Sequence, residues 1–232
     1  MHSMKLCLPH DQERFTEEER NIIAACKTPQ ETQDFINTIA YNFESDGVAR
    51  LRSFRRVVRD RVAHCFEGAL AAAAILAHHG YPPLLACMEA DEDFDHLLFL
   101  FRERGKWGSI AQSQQPNLKG RPPIFKNVRD LILSYGDNYT PSLHRHQLQT
   151  LRGYCTFDLR QLHVDWMTTE KDVWPAEDLT FEKNFTALKA KNGFREFRCN
   201  RDGTITWLHP EEEHDALSAP QNGTEPLDRA DD

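Results

Sequence analysis

The sequence predicts an α+β domain in which one buried helix packs on an antiparallel sheet, with extra helices placed before it. Two observations carry this expectation. From Cys65 to about His79 the chain is dominated by small apolar residues (Gly68, Ala69, Ala71, Ala72, Ala73, Ala74, Ala77), and a helix that is apolar all round belongs in a core. Three strand-like runs then follow in succession with no helix between them, an order that gives an antiparallel sheet with helices segregated to its faces.

Two helices open the chain. Thr16 caps Glu17-Glu18-Glu19 at the start of the first, which runs to Cys26. Thr28, Pro29 and Glu31 mark the second, as N-cap, first-turn proline and capping-box partner. Phe35, Ile36, Ile39, Ala40 and Phe43 share one helical face, and Ser45-Asp46-Gly47 stops the pattern. Residues 50–62 interleave six arginines with Leu51, Phe54, Val57, Val58 and Val62. That pattern fits a solvated helix face with its apolar stripe inward, or a patch for an acidic partner.

Gly80 and Pro82-Pro83 end the small-residue helix. Leu84–Met88 is the first strand, and the acidic turn 89–93 leads to the second, His96-Leu97-Leu98-Phe99-Leu100-Phe101. Its continuous apolar character suits a strand covered on both faces. Trp107–Ser113 is the third. A loop rich in Pro and Gly spans 115–123, Asn127–Leu133 is helical, and 150–182 carries short segments around Tyr154, Phe157, Leu159, Trp166 and Trp174. Phe194–Cys199 and Thr204–Leu208 form a hairpin across Asn200-Arg201-Asp202-Gly203. The domain therefore spans 1–210: N-terminal helices over 10–62, a core over 63–115, and a C-terminal elaboration over 124–210. Residues 211–232 read as a disordered acidic tail.

Charge excludes several function classes. The net charge is −8 over 232 residues, yet the tail alone carries eight acids against one base, so residues 1–210 are nearly neutral. Such a body offers no field for nucleic acid and no basic face for a membrane surface. No apolar run approaches the ~20 residues that span a bilayer, and no signal peptide opens the chain. The six cysteines are scattered without C-x-x-C spacing, which disfavours a zinc knuckle and fits reduced thiols in the cytoplasm. His144, His146 and the histidines at 209 and 214 supply no closed tetrahedral set, so neither a metal nor a cofactor is expected.

Nucleophilic cysteine chemistry needs a thiolate, an imidazole to move protons and a group to orient that imidazole. A cysteine at a helix N-terminus gains from the helix dipole and from unpaired N–H groups. Cys65 is the one cysteine at an expected helix start, flanked by His64 and Glu67, and His96 heads a strand downstream. Cys65, Ala69, Gly80-Tyr81-Pro82, His96 and Trp107 follow one another in an order that resembles the transglutaminase-like superfamily, within the wider papain-like fold. The resemblance covers about residues 48–115. Residues 63–70, Asp95-His96 and Lys106–Ile110 are similar to a bacterial and fungal subgroup of that superfamily, and the similarity runs on through Ser134-Tyr135, Thr150-Leu151-Arg152 and Trp166.

The resemblance implies a papain-like core with Cys65 as nucleophile and His96 as base. The superfamily's orienting aspartate falls four residues after the tryptophan, where this chain has Ala111. Ser113, Gln112 and Ser109 are the candidate third members in its place. The expected activity is acyl transfer, with hydrolysis of an amide or peptide bond through a Cys65 thioester, on a peptide, protein or small amide substrate. The alternative is a non-catalytic domain of the same type that binds a peptide or protein partner.

Overall fold

The computed structural model describes residues 13–90, 94–136, 151–188, 196–202, 204–208 and 228–229. Helix α1 (Glu17–Ala25) and helix α2 (Pro29–Asn37) both begin with capping boxes. The Glu19 N–H donates to Thr16 Oγ1 at 3.2 Å, and the Glu31 N–H to Thr28 Oγ1 at 3.3 Å. The second helix ends earlier than its apolar periodicity predicts. After the C-cap Thr38 the chain extends into β1 (Ala40–Tyr41), which lies parallel to β3 (Val62–Ala63). Its N–H groups find carbonyls there, Ala40 on Arg61 and Asn42 on Ala63, each at 3.1 Å. Main-chain pairing thus replaces the last helical turn, and Phe43, expected to face inward, is 64% exposed.

After β2 (Val48–Ala49), the arginine run folds as a short helix, α3 (Phe54–Asp60), with Ser53 as N-cap and Phe54, Val57 and Val58 buried. Its arginines are neither a free patch nor a merely solvated face. Arg52 pairs with Glu67 at 2.9 Å, Arg55 with Glu19 at 2.9 Å and Arg56 with Asp172 at 2.7 Å, all on buried carboxylates. Arg50, Arg59 and Arg61 pair nearer the surface with Asp46, Glu170 and Glu18. Alternation of Arg with apolar residues here serves inward-reaching ion pairs between elements.

Helix α4 (Cys65–Ala77) is buried on every side from Phe66 to Leu76. Gly68 shows why small residues are needed: a Cβ there would stand 2.5 Å from the Gln112 Cβ. The helix lies on one face of an antiparallel sheet that has eight strands among the described residues, in the order β11-β10-β9-β8-β4-β5-β6-β7. These are β4 (Leu84–Ala90), β5 (His96–Glu103), β6 (Lys106–Ile110), β7 (Arg121–Phe125), β8 (Leu151–Asp158), β9 (Phe185–Ala187), β10 (Glu196–Cys199) and β11 (Ile205–Trp207). Leu85, Cys87, Leu97, Phe99, Cys155 and Phe157 face α4. Ala86, Met88, Leu98 and Leu100 face the opposite core, closed by α5 (Val128–Gly136) through Leu131, Ile132 and Tyr135. The sixth helix, α6 (Trp174–Glu182), joins the α4 side through Ala176 and Leu179.

Three sequence expectations change. The region read as short segments over 150–182 begins with an eight-residue strand, β8, paired to β4 along its length, so β4 is interior to the sheet. The Pro- and Gly-bearing loop ends in an edge strand, β7. Its Pro122 and Pro123 lack N–H groups, which an edge strand tolerates. The third strand stops at Ile110, because the Gln33 side chain takes both main-chain groups of Ala111, each at 3.0 Å. The disorder expected over 211–232 falls outside the described residues, except that Asp228–Arg229 (β12) pairs in parallel with β2. The histidine clusters at 144–146 and 209–214 also lie outside them. Among the described residues no helix is long and apolar enough to cross a membrane, and no group of three potential ligands is arranged for a metal.

Candidate active site around Cys65

Cys65 is the first residue of α4, and the residues around it fix that helix start. His64 is the N-cap: its Nδ1 accepts from the Phe66 N–H at 3.2 Å, and its Nε2–H donates to the Arg50 carbonyl at 2.9 Å. Glu67 closes the capping box by accepting from the His64 N–H at 2.8 Å. Its carboxylate has no solvent exposure and also accepts from the Arg52 N–H and the Arg52 guanidinium, both at 2.9 Å. Ion pair, cap and helix start therefore form one rigid platform. Cys65 stands half-buried on it, with Sγ 3.9 Å from the main-chain oxygen of Asp95 at the head of β5.

The thiol is set for ionisation. Packing around Cys65 resists the charge, but hydrogen bonds and positive charge from His64 and His96 outweigh it and bring the thiol down to about 5. Other cysteines go the other way. Burial raises Cys26. Cys87 is raised by its cross-strand contact with Cys155 and by burial. Burial and the Glu89 carboxylate raise Cys199, whose thiol donates to Glu89.

His64 is subject to two opposing demands. Burial disfavours its charge, while Cys65 and Glu67 favour it and raise the ring to about 9. The partners of its two nitrogens, one acceptor and one donor, describe a neutral imidazole. Protonation turns Nδ1 from acceptor to donor, so a charged His64 gives up the Phe66 cap.

His96 opens β5 on the face of Leu98 and Leu100, where it is 4% exposed and meets the Tyr135 ring edge-on at 6.3 Å. Its Nε2–H donates to the Leu118 carbonyl at 2.7 Å, which leaves Nδ1 as the basic nitrogen. Leu118 lies in a single 3₁₀ turn, Pro116–Leu118, held from behind. The Tyr135 hydroxyl donates to the Lys119 carbonyl at 3.1 Å and is 2.7 Å from Ser109 Oγ. The Arg121 guanidinium stacks 4.1 Å from the Tyr135 ring centre.

The sequence-level candidates for a third member have other partners. Ser109 Oγ is bound by Tyr135 and accepts from the Arg121 N–H at 3.1 Å. Gln112 is buried against Gly68, its amide donating to the Ile39 carbonyl at 2.7 Å. Ser113 Oγ accepts from the Gln115 N–H at 3.0 Å in a local turn. Ala111 is fully buried. The position beside His96 is filled by main chain, a feature that leaves no side-chain trace in a sequence.

Tyr41 pairs with Ala63, two residues before Cys65. Its phenol is raised by burial and by the Cys65, Glu44 and Glu67 charges. Phe43 packs against it, ring centres 5.1 Å apart. The exposed Phe94 and Asp95 precede His96. The Asp95 carboxyl is held up to about 8 by its crowded setting and by the Glu89 and Cys65 charges, against the Ala90 N–H that it accepts and the Arg152 charge. Adjacent helical residues do not face one another, but His64 is the N-cap and lies outside the helix, and Glu67 three residues later is the signal the sequence offers for it. Compared with models of known protein families the chain matches none, and no curated protein matches it.

Proposed function

We propose that this chain is a cysteine-dependent acyl-transfer enzyme with a transglutaminase-like, papain-like core, cleaving an amide or peptide bond through a thioester on Cys65. The observation that carries this reading is a single arrangement. A thiol at a helix N-terminus is lowered by two imidazoles, and the far nitrogen of one of them, His96, is pinned to the Leu118 carbonyl. Such a pairing supplies a thiolate, a base in one tautomer and, at the helix start, a Cys65 N–H with no partner among the described residues.

In the proposed cycle the Cys65 thiolate adds to a carbonyl carbon and its π pair moves to oxygen. The tetrahedral adduct collapses as His96 protonates the leaving amine, leaving a thioester. His96 then takes a proton from water, which attacks the thioester and releases the acid. The substrate class is a peptide, protein or small amide. A second reading, a binding domain without catalysis, draws on Ala111, a fully buried residue whose side chain cannot accept a hydrogen bond from an imidazole. Release of p-nitrophenol from p-nitrophenyl acetate separates the two. A stoichiometric burst that Cys65→Ala and His96→Ala remove supports the enzyme. Equal release by wild type and Cys65→Ala overturns it.

A further inference from the structure

Cys87 on β4 and Cys155 on β8 stand directly opposite one another in the antiparallel ladder. The register is regular from Leu84 to Glu89, so both side chains emerge on one face, the face that α4 covers. The pairs before and after them on that face are Leu85 with Phe157 and Glu89 with Gly153. Both thiols are free, and each residue is 3% exposed. On its other side Cys87 pairs with Leu97, and the Cys199 thiol is taken up by Glu89.

Two cysteines so placed meet the span of a disulfide without a change of register. Residues directly opposite in antiparallel strands have Cα atoms about 4.5 or 5.5 Å apart. A disulfide accepts Cα separations of about 4.4–6.8 Å. Oxidation also strips little from the surroundings, because a thiol is a weak donor and a weak acceptor. Contact with Cys155 and burial raise the Cys87 thiol, so Cys87 stays protonated at neutral pH and exchange there is slow.

We propose that Cys87 and Cys155 are a redox modification site, a dithiol that a low-molecular-weight disulfide such as oxidised glutathione converts to an intramolecular disulfide, bolting β4 to β8 beneath α4. In the first exchange one of the two thiolates attacks a sulfur of oxidised glutathione. A mixed disulfide forms and one glutathione thiolate leaves. The second protein thiolate then attacks the protein sulfur of the mixed disulfide and expels the other glutathione. The two cysteines lose two protons and two electrons, and the reagent departs as two molecules of reduced glutathione. The reagent reaches the pair through local opening of the sheet, and the finished bond opposes that opening. The closed loop runs from 87 to 155 and takes in β5, β6, β7 and α5, a long segment to constrain in the unfolded chain. No step uses Cys65, so this inference stands apart from the acyl-transfer reading.

The test uses the full chain, folded at pH 8 in glutathione buffers of rising oxidised fraction. Free thiols are then blocked with N-ethylmaleimide and the peptides mapped by mass spectrometry. A linked Cys87–Cys155 peptide is expected in wild type and in Cys65→Ala alike, reversed by dithiothreitol. The oxidised chain is expected to melt about 10 °C above the reduced one, a difference that Cys155→Ala abolishes. Cys87 and Cys155 that stay free, or carry only glutathione, in the most oxidising buffer overturn the proposal. So does a link that forms only after unfolding in urea, or a linked chain no more stable than the reduced one.

Discussion

His96 and Leu118 are joined by a 2.7 Å hydrogen bond from an imidazole N–H to a main-chain oxygen. The group that orients the imidazole therefore carries no net charge, and substitution of the Leu118 side chain leaves it in place. What holds it is the Tyr135 hydroxyl on the next carbonyl. Tyr135→Phe deletes that bond and the one to Ser109. The expected cost is about 1–2 kcal/mol of stability, read from denaturant midpoints, with slower Cys65-dependent ester hydrolysis. Leu118→Ala is expected to lose stability without changing the pH profile of that reaction. A Tyr135→Phe variant as fast as wild type removes Tyr135 from the positioning of His96.

Cys65 is expected to alkylate with iodoacetamide at pH 6 roughly ten-fold or more faster than Cys26, Cys87 or Cys199. The sign follows from the shifts. A lowered thiol is already thiolate at that pH, whereas raised thiols are protonated. The rate at Cys65 falls only as pH drops through about 5. Peptide-resolved mass spectrometry of a time course reads all four sites, and uniform labelling contradicts the expectation.

His64→Asn separates capping from tuning. Asparagine is among the best N-caps, so the thermal midpoint stays close to that of wild type, while loss of the imidazole moves the pH midpoint of Cys65 alkylation upward. An unmoved midpoint assigns the whole of the lowering to His96 and the helix start.

Glu67→Gln leaves Arg52 without its buried counter-charge. Removing one partner of a buried ion pair costs about 3–5 kcal/mol, and for a domain of this size each kcal/mol moves the thermal midpoint by roughly 2–4 °C. Calorimetry of the variant is expected to show a drop of about 10 °C. A change within 2 °C refutes the platform beneath Cys65.

The parts of this molecule that were legible in the sequence are those written in side chains with fixed offsets. Thr16 and Glu19, and Thr28 and Glu31, announced their helices as capping boxes. The alanine-rich run after Cys65 announced a buried helix, and the apolar run from His96 a covered strand. What was illegible depends on main chain or on partners far along the chain. The Leu118 carbonyl has no letter of its own. Gln33 ends β6 from another element entirely. Strand β7 was hidden by its prolines, which mark loops more often than edges. The arginines after residue 50 looked alike in sequence, yet three of them reach buried carboxylates on α1, α4 and the segment before α6.

Those arginines also set an order of assembly. The Leu51 N–H is bound by Asp172, 121 residues further on. Ser53 Oγ is bound to the Thr169 carbonyl and the Arg55 N–H to the Met167 carbonyl. The bed on which Cys65 rests is thus latched by chain that leaves the ribosome long after the cysteine itself, and such distant contacts form late. A nascent or truncated chain ending before residue 165 has the proposed nucleophile but not the clasp that aligns it. On that proposal, competence at Cys65 is a checkpoint on completion of the domain.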